Sequence, residues 1–165
     1  MIIFTPNTVI KSTEVNSNFD EILNTFGTWA SFTPTFLGAT LGNGTVTGKY
    51  VKINKTVIGN ANFTAGSTSA FGDTMRLTPP VTASSRYTGT ERFLDVGNIT
   101  FLDAGLQVYH GTAFFDVTTS SGNIVFSIYG TAGTYATRTT TSATVPFTMA
   151  VGDQINVNFC YESAT

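Results

Sequence analysis

The order of apolar and polar positions divides the chain near residue 28. Between Ser12 and Phe26 the apolar residues are Val15, Phe19, Ile22, Leu23 and Phe26, at spacings of 4, 3, 1 and 3, a single stripe on a helix. Without Leu23 the spacing is 4-3-4, the seam of a short coiled coil. Ser12-Thr13 can cap such a helix. Glu14 puts negative charge in the first turn, where the helix dipole favours it, and Gly27 can end it in a left-handed conformation. A helix this short is marginal alone. The stripe is therefore expected to dock on this chain's own sheet, on copies of itself or on a neighbouring protein. Val15, Phe19, Ile22 and Phe26 are the candidate oligomerisation and anchoring residues.

After Trp29 the period changes to two, and Thr, Val, Phe, Tyr and Ile dominate, the residues that suit a pleated surface. Gly42-Asn43-Gly44 separates a strand at Thr33–Leu37 from one at Thr45–Ile53, and Asn54-Lys55 forms a tight hairpin into Thr56–Thr64. In that strand Val57, Ala61 and Phe63 share one face, and Thr56, Asn60, Asn62 and Thr64 the other. Pro79-Pro80 breaks the chain. Further strands are expected at Glu91–Val96, Asn98–Asp103, Leu106–His110, Thr112–Val117, Ile124–Tyr129, Ala143–Met149 and Gln154–Glu162. In the last, Ile155, Val157, Phe159 and Tyr161 point one way, and Asn156, Asn158, Cys160 and Glu162 the other. Eight to ten short strands cut by frequent turns predict an all-β fold, an antiparallel β-sandwich of jelly-roll type over 29–165, behind a helical segment at 1–28. No fixed-period repeat argues for a solenoid.

Composition sharpens this in one respect. Only 11% of the 165 residues are charged, against about 25% in ordinary soluble domains. So few charges weaken the usual defence against self-association, and either much of the surface is covered by other copies or it is polar through Thr, Asn and Ser. The net charge of −2 leaves no basic stripe for nucleic acid; Lys49, Lys52 and Lys55 read as solvated hairpin positions. No apolar run approaches the ~20 residues of a membrane-spanning helix. The opening Met1-Ile2-Ile3-Phe4-Thr5-Pro6 has neither a charged region nor an apolar core of the secretory kind, so synthesis in a cytoplasm is expected. A single cysteine, Cys160, permits no internal disulfide. The sequons at Asn43, Asn54, Asn62 and Asn98 follow from abundant threonine.

Chemistry is sparse. The one histidine, His110, could pair with Cys160 only through the fold, and zinc would need three or four clustered ligands. A glycosidase needs two carboxylates flanking a bond. The acids of the β-region are Asp73, Glu91, Asp95, Asp103, Asp116, Asp153 and Glu162. Asp73 and Asp153 follow glycine in turn-like contexts, and Asp95 with Asp103 is the pair a sheet could bring together. Gly42-Asn43-Gly44 lacks the strand-to-helix setting of a phosphate loop. No catalytic residue, cofactor or metal is expected.

Several motifs recur together. They are Trp29-x-x-Phe32-x-Pro34, Leu41-Gly42-Asn43-Gly44-Thr45-Val46, Tyr50-x-x-Ile53-x-Lys55-x-Val57, and Gly66-Ser67-Thr68-Ser69-x-x-Gly72 with Pro79 after a short strand. This pattern resembles the β-rich module of tail-fibre, minor-tail and other virion proteins of tailed bacteriophages. Val145-Pro146-Phe147, Gly152-Asp153-Gln154-Ile155 and Tyr161-Glu162 look like the ending of that module. The opening Pro6-Asn7-Thr8-Val9-Ile10 and Val15-Asn16-Ser17-Asn18-Phe19 are similar to the N-terminal segment of many such proteins. The likeness covers most of the chain through turns, a tryptophan anchor and hairpin positions. Where related modules often carry glycine this chain has Asn54, which implies a left-handed turn position that asparagine can fill.

The resemblance implies a non-enzymatic virion protein, assembled in a bacterial host cytoplasm and commonly trimeric. It would be a short tail or baseplate fibre or tail-tip protein contributing to host attachment. Residues 1–28 would hold it to other virion proteins, and its β-loops would face the host. Exposed aromatics and amides suit sugar binding; Tyr87, Tyr109, Tyr129 and Tyr135 are the candidates for a host-surface glycan, although aromatics favour strands in any case. The alternative is architectural, a capsid-decoration (cement) protein or head fibre. A cell-surface polysaccharide hydrolase is the third reading. Neither nucleic-acid binding nor membrane insertion is expected.

Overall fold

The computed structural model describes residues 3, 9, 11–88, 93–116, 122–132 and 134–165, and for 22–25, 73, 88, 131 and 132 the backbone alone. Helix α1 (Ser12–Thr25) precedes ten strands: β1 (Ala30–Phe32), β2 (Phe36–Thr40), β3 (Thr45–Ile53), β4 (Thr56–Thr64), β5 (Ala70–Leu77), β6 (Leu94–Asp103), β7 (Gln107–Phe115), β8 (Ile124–Ala132), β9 (Tyr135–Thr140) and β10 (Gln154–Glu162). Ser12 and Thr13 lie inside the helix rather than at its cap. The Glu14 carboxylate instead reaches back to accept the Lys11 N–H at 3.2 Å, half of a capping box. Gly27 ends the segment at φ +73° as expected, close enough to β3 that a Cβ would meet the Lys52 carbonyl oxygen at 2.6 Å.

The all-β class with a short N-terminal helix is what the sequence predicts. The hydrogen bonding, however, does not divide the strands into the two sheets of a jelly-roll sandwich. Every ladder joins one antiparallel sheet in the order β1-β3-β4-β10-β6-β7-β8-β5-β2, with β9 beside β8. Laid flat, nine strands would hold the two edges about 38 Å apart. Yet β1 and β2, the two edges, are joined by residues 33–35 alone, a link that spans at most about 14 Å. The sheet must therefore curl into a half-barrel until its edges approach.

Two further links cross the same seam, the β2–β3 turn and the β4–β5 loop, and they are bonded to each other. Asn43 is the hub. Its backbone N–H donates to Thr68 Oγ1 at 2.8 Å, its Oδ1 accepts from the Thr68 N–H at 2.9 Å, and its Nδ2 donates to Ser67 Oγ at 2.9 Å. Ser69 Oγ donates to the Leu41 carbonyl at 2.5 Å and accepts from the Gly66 N–H at 2.9 Å. Gly42, at φ +56°, has no room for a side chain, because a Cβ would overlap the Thr68 backbone. Two motifs far apart in the sequence are thus halves of one structural unit.

Inside the curl, alternation proceeds as read from β4 and β10. Val57, Ala61, Phe63, Ile155, Val157, Phe159 and Tyr161 are buried. Phe36 on edge strand β2 contacts Phe63 of β4 at 5.4 Å and Phe126 of β8 at 6.1 Å, so one ring bridges both halves of the sheet. Tyr87, on a single 3-10 turn (Ser85–Thr88), packs 4.6 Å from Phe115 and accepts the Glu162 N–H through its hydroxyl. Thr141 sits where β5 and β9 share the edge of β8. Its hydroxyl donates to the Phe126 carbonyl at 3.3 Å and accepts the Met75 N–H at 3.3 Å.

Several strand boundaries differ from expectation. Gly97 and Gly111 read as breaks, but β6 and β7 run through them as single strands. At each the neighbouring backbone lies where a Cβ would be, Asn158 against Gly97 and Ser127 against Gly111. Beside Gly97 the register shifts between Asp95 and Gly97, leaving an extra residue, Val96, buried in the core. Thr33–Thr35 is linker, and the strand begins at Phe36. Ala143–Met149 forms no strand, only a Ser142–Val145 bridge beside a cis Val145–Pro146 bond. Strands β1 and β9 are additions. Glu91, Arg92 and Val117, at ends of expected strands, lie outside the described residues. Asn54 adopts φ 54°, the left-handed turn position expected of it.

The seam stitch predicts two unequal losses in urea unfolding. Gly42→Ala should cost about 2 kcal/mol or more, through strain at positive φ and overlap with Thr68. Asn43→Ala should cost about 1–2 kcal/mol, since its bonds are partly replaced by water.

Tyr161 supplies a pH-dependent prediction. Its hydroxyl donates to the Val81 carbonyl at 2.6 Å and accepts the Val81 N–H at 3.1 Å. Burial pushes the phenol well above its ordinary value of 10.0, against the lowering effect of the Val81 hydrogen bond. The unfolded chain then releases this proton near its ordinary value while the folded chain retains it, so stability falls as pH rises through that value. Tyr161→Phe should flatten the alkaline fall and lower stability at neutral pH by about 1–3 kcal/mol. An alkaline slope equal in both proteins, in urea titrations across the alkaline range, would refute the assignment.

Candidate functional site

Among the described residues no strand packs along helix α1. Among the stripe residues Val15 is half-buried, whereas Phe19 is 61% and Phe26 64% exposed. The side chains of Ile22 and Leu23 lie outside the described residues. Intramolecular docking of the whole stripe is therefore not what this chain does with Phe19 and Phe26. No basic residue occupies the last turn of α1 to offset its dipole.

The segment leaving α1 crosses the outer face of the sheet. Gly27 lies against Val51, which is buried although it belongs to the outward row of β3. Trp29 follows, 54% exposed, at a shallow groove of about 310 Å³ whose walls include Ile58, Asn60, Asn98, Asn158 and Cys160. Antiparallel register sets these amides side by side. Asn158 of β10 pairs with Asn60 of β4 on one flank and with Asn98 of β6 on the other. Paired residues share a face, and their strand alternation turns all three outward. The tryptophan anchor read from the sequence is thus a half-exposed ring over an amide row.

The amides differ in how far they are engaged. In the next row Asn62 Nδ2 donates to Asn156 Oδ1, and Thr64 Oγ1 donates to Asn62 Oδ1 at 3.2 Å. In the groove Asn158 Nδ2 donates to Asn98 Oδ1 at 3.0 Å, while the Asn60 side chain has no hydrogen bond among the described residues. Free donors and acceptors therefore face solvent beside the indole. Sequence reading missed this row because Asn60, Asn98 and Asn158 are 98 residues apart from first to last; only the polar alternation of two of the strands hinted at it.

The tyrosine candidates do not assemble. Tyr87 is buried in the core and cannot present its ring to a ligand, because its chain segment folds across the inner face against Phe115 and Tyr161. Tyr109 is half-buried beside Phe147, with its hydroxyl against Gln107 Nε2. Tyr129 and Tyr135 are 56% and 78% exposed on the β8–β9 hairpin. Tyr129 pairs with Arg138 and Tyr135 with Ala132, odd and even positions that face opposite ways.

The other chemical pairs stay apart too. Asp95 and Asp103 lie near opposite ends of β6, about 27 Å from each other at strand rise, and Asp95 instead binds Arg138 Nη2 at 2.6 Å. That guanidinium also lies 4.6 Å from the Phe114 ring centre. His110 and Cys160 are two strands and four residues apart, about 17 Å, and the nearer partner of His110 is Thr100 Oγ1 at 3.5 Å. Asp153 is a turn residue as read, its carboxylate accepting the Ala104 and Ala150 N–H groups at 2.8 and 2.6 Å. The backbone of Asp73, by contrast, lies within β5. Lys49 and Lys52 face opposite ways across β3, paired with Asn60 and Val57. No group of three or more His, Cys, Asp or Glu residues among the described residues is placed to hold a metal.

No protein-family model matches the chain, and neither a curated protein nor a solved structure matches it.

Proposed function

We propose that this chain is a non-enzymatic structural module of a tailed-bacteriophage virion, working as a short homotrimeric tail, baseplate or tail-tip protein that contributes to host attachment. The observation that carries the reading is the exposure of Phe19 and Phe26 on a helix that, among the described residues, packs along no strand, beside a β-domain with its own aromatic core. An amphipathic helix left in water loses the burial that makes it stable; packed on copies of itself or on a neighbouring virion protein, it regains it. The 4-3-4 spacing suits a short bundle, and the charge-poor surface tolerates close neighbours. The motif resemblance supplies the virion setting, in which residues 1–28 anchor and the outer face of the sheet is presented.

Light scattering on the full chain should give a trimer. Phe19→Asp with Phe26→Asp should dissociate it while leaving the thermal midpoint of the β-domain almost unchanged, since both rings are exposed within the protomer. A stable monomer in the unsubstituted protein removes the trimer and favours a cement protein that orders only on the particle. A trimer unaffected by both substitutions moves the contact to the β-domain and leaves α1 as an anchor to another protein.

A further inference from the structure

We infer that the groove beneath Trp29 is a binding site for an uncharged saccharide, with the indole as platform and Asn60, Asn98 and Asn158 as the hydrogen-bonding wall. The inference rests on the attachment reading above, for which it names the ligand class. Three observations carry it. A half-exposed tryptophan is a large planar apolar surface that the fold has not covered, and the C–H face of a sugar ring stacks on such a surface without needing charge. The amide row beside it runs across three strands, about 10 Å, the length of roughly two linked pyranose rings. Each asparagine offers one carbonyl acceptor and two N–H donors, matching hydroxyls that both donate and accept. Among the described residues only one bond, Asn158 to Asn98, is made within the row, and the Asn60 side chain makes none.

The surroundings select the class. Ile58 and Cys160 complete the wall, so no charged side chain lines the groove. Lys49 lies one strand further out beside Asn60, and Glu162 two residues beyond Cys160. Charges of opposite sign at the margin give an acidic polymer no consistent field to follow. Binding sites combine an apolar wall with a few oriented polar groups, and this groove does so. Its shallowness implies weak contact per protomer, and three copies on one particle would raise the apparent affinity without new contacts. The four tyrosines, by contrast, share no common surface.

Trp29 is the only tryptophan of the chain, so its emission reports on this groove alone. The full-length protein is titrated with neutral hexasaccharides of glucose, mannose, galactose and N-acetylglucosamine, with polygalacturonate as the charged control. A saturable change in emission with at least one neutral sugar, larger than with polygalacturonate, is expected. Calorimetry with the responding sugar should then lose about tenfold or more in affinity for Trp29→Ala and for Asn60→Ala with Asn158→Ala, a change of about 1.4 kcal/mol or more. Thermal midpoints should hold, because the substituted side chains are exposed. No saturable response to any neutral sugar overturns the inference, as does undiminished affinity in the substituted proteins. A Trp29 emission that is blue-shifted and closed to acrylamide in the assembled protein also overturns it, by assigning the groove to a second copy. The mass measurement reads the anchoring proposal separately: a trimer with a silent Trp29 defeats the sugar site alone, and a sugar-binding monomer defeats the trimer alone.

Discussion

The structure depends on how a nine-strand path brings its two edges together. Strands β1 and β2 terminate opposite ends of the sheet but are neighbours in sequence, so residues 33–35 require the sheet to curl. Curling alone would leave an open seam with unpaired edges, a liability in any sheet. Here the seam is crossed by three short links, two of them bonded through Asn43, and filled from within by Phe36. Phe32 and Pro34 fold over Gly48, where a Cβ would collide with both. The aromatic core is thus a consequence of closure as much as its cause: Phe63, Phe126 and Phe36 sit on strands far apart in the sheet order and meet only because it closes.

Curling also separates the two faces chemically. The inner face takes rings and branched aliphatics, because a convergent interior must be filled without polar atoms lacking partners. Tyr87 and Tyr161 are admitted there because backbone groups of Glu162 and Val81 satisfy their hydroxyls. On the outer face, which also carries the buried Val51, Phe114 and Val125, antiparallel register lines up Asn60, Asn158 and Asn98. Within that row the Asn60 side chain has no hydrogen bond among the described residues, which leaves its donors and acceptor open.

The sheet buries its own core, while α1 keeps Phe19 and Phe26 exposed and the chain beyond it lies against β3 at Gly27. Two rings left exposed on α1 can pack on a neighbour without drawing any side chain out of the β-core. Anchoring and presentation can then evolve on different segments, which suits the attachment reading. The Trp29 groove opens where the two segments join, so its indole lies between α1 and the outer face of the sheet.

How much was legible follows from which interactions are local. The helix, its end at Gly27, the β3–β4 hairpin with Asn54 at positive φ, and the buried faces of β4 and β10 rest on periods and turn chemistry within a few residues, and the sequence alone determined them. Turn chemistry also marked Gly42-Asn43-Gly44 correctly, but not its bonds to residues 67–69, which need a second turn from elsewhere. Gly97 and Gly111 misled for the same reason. A glycine that ends a strand and one that admits a neighbouring backbone look identical in sequence, and only the approach of Asn158 or Ser127 distinguishes them. Strand alternation predicted that Asn60 and Asn158 face outward. That they stand side by side with Asn98 under Trp29, while Tyr87 turns inward, was decided by tertiary structure alone, because register and closure are relations between segments that no local pattern contains.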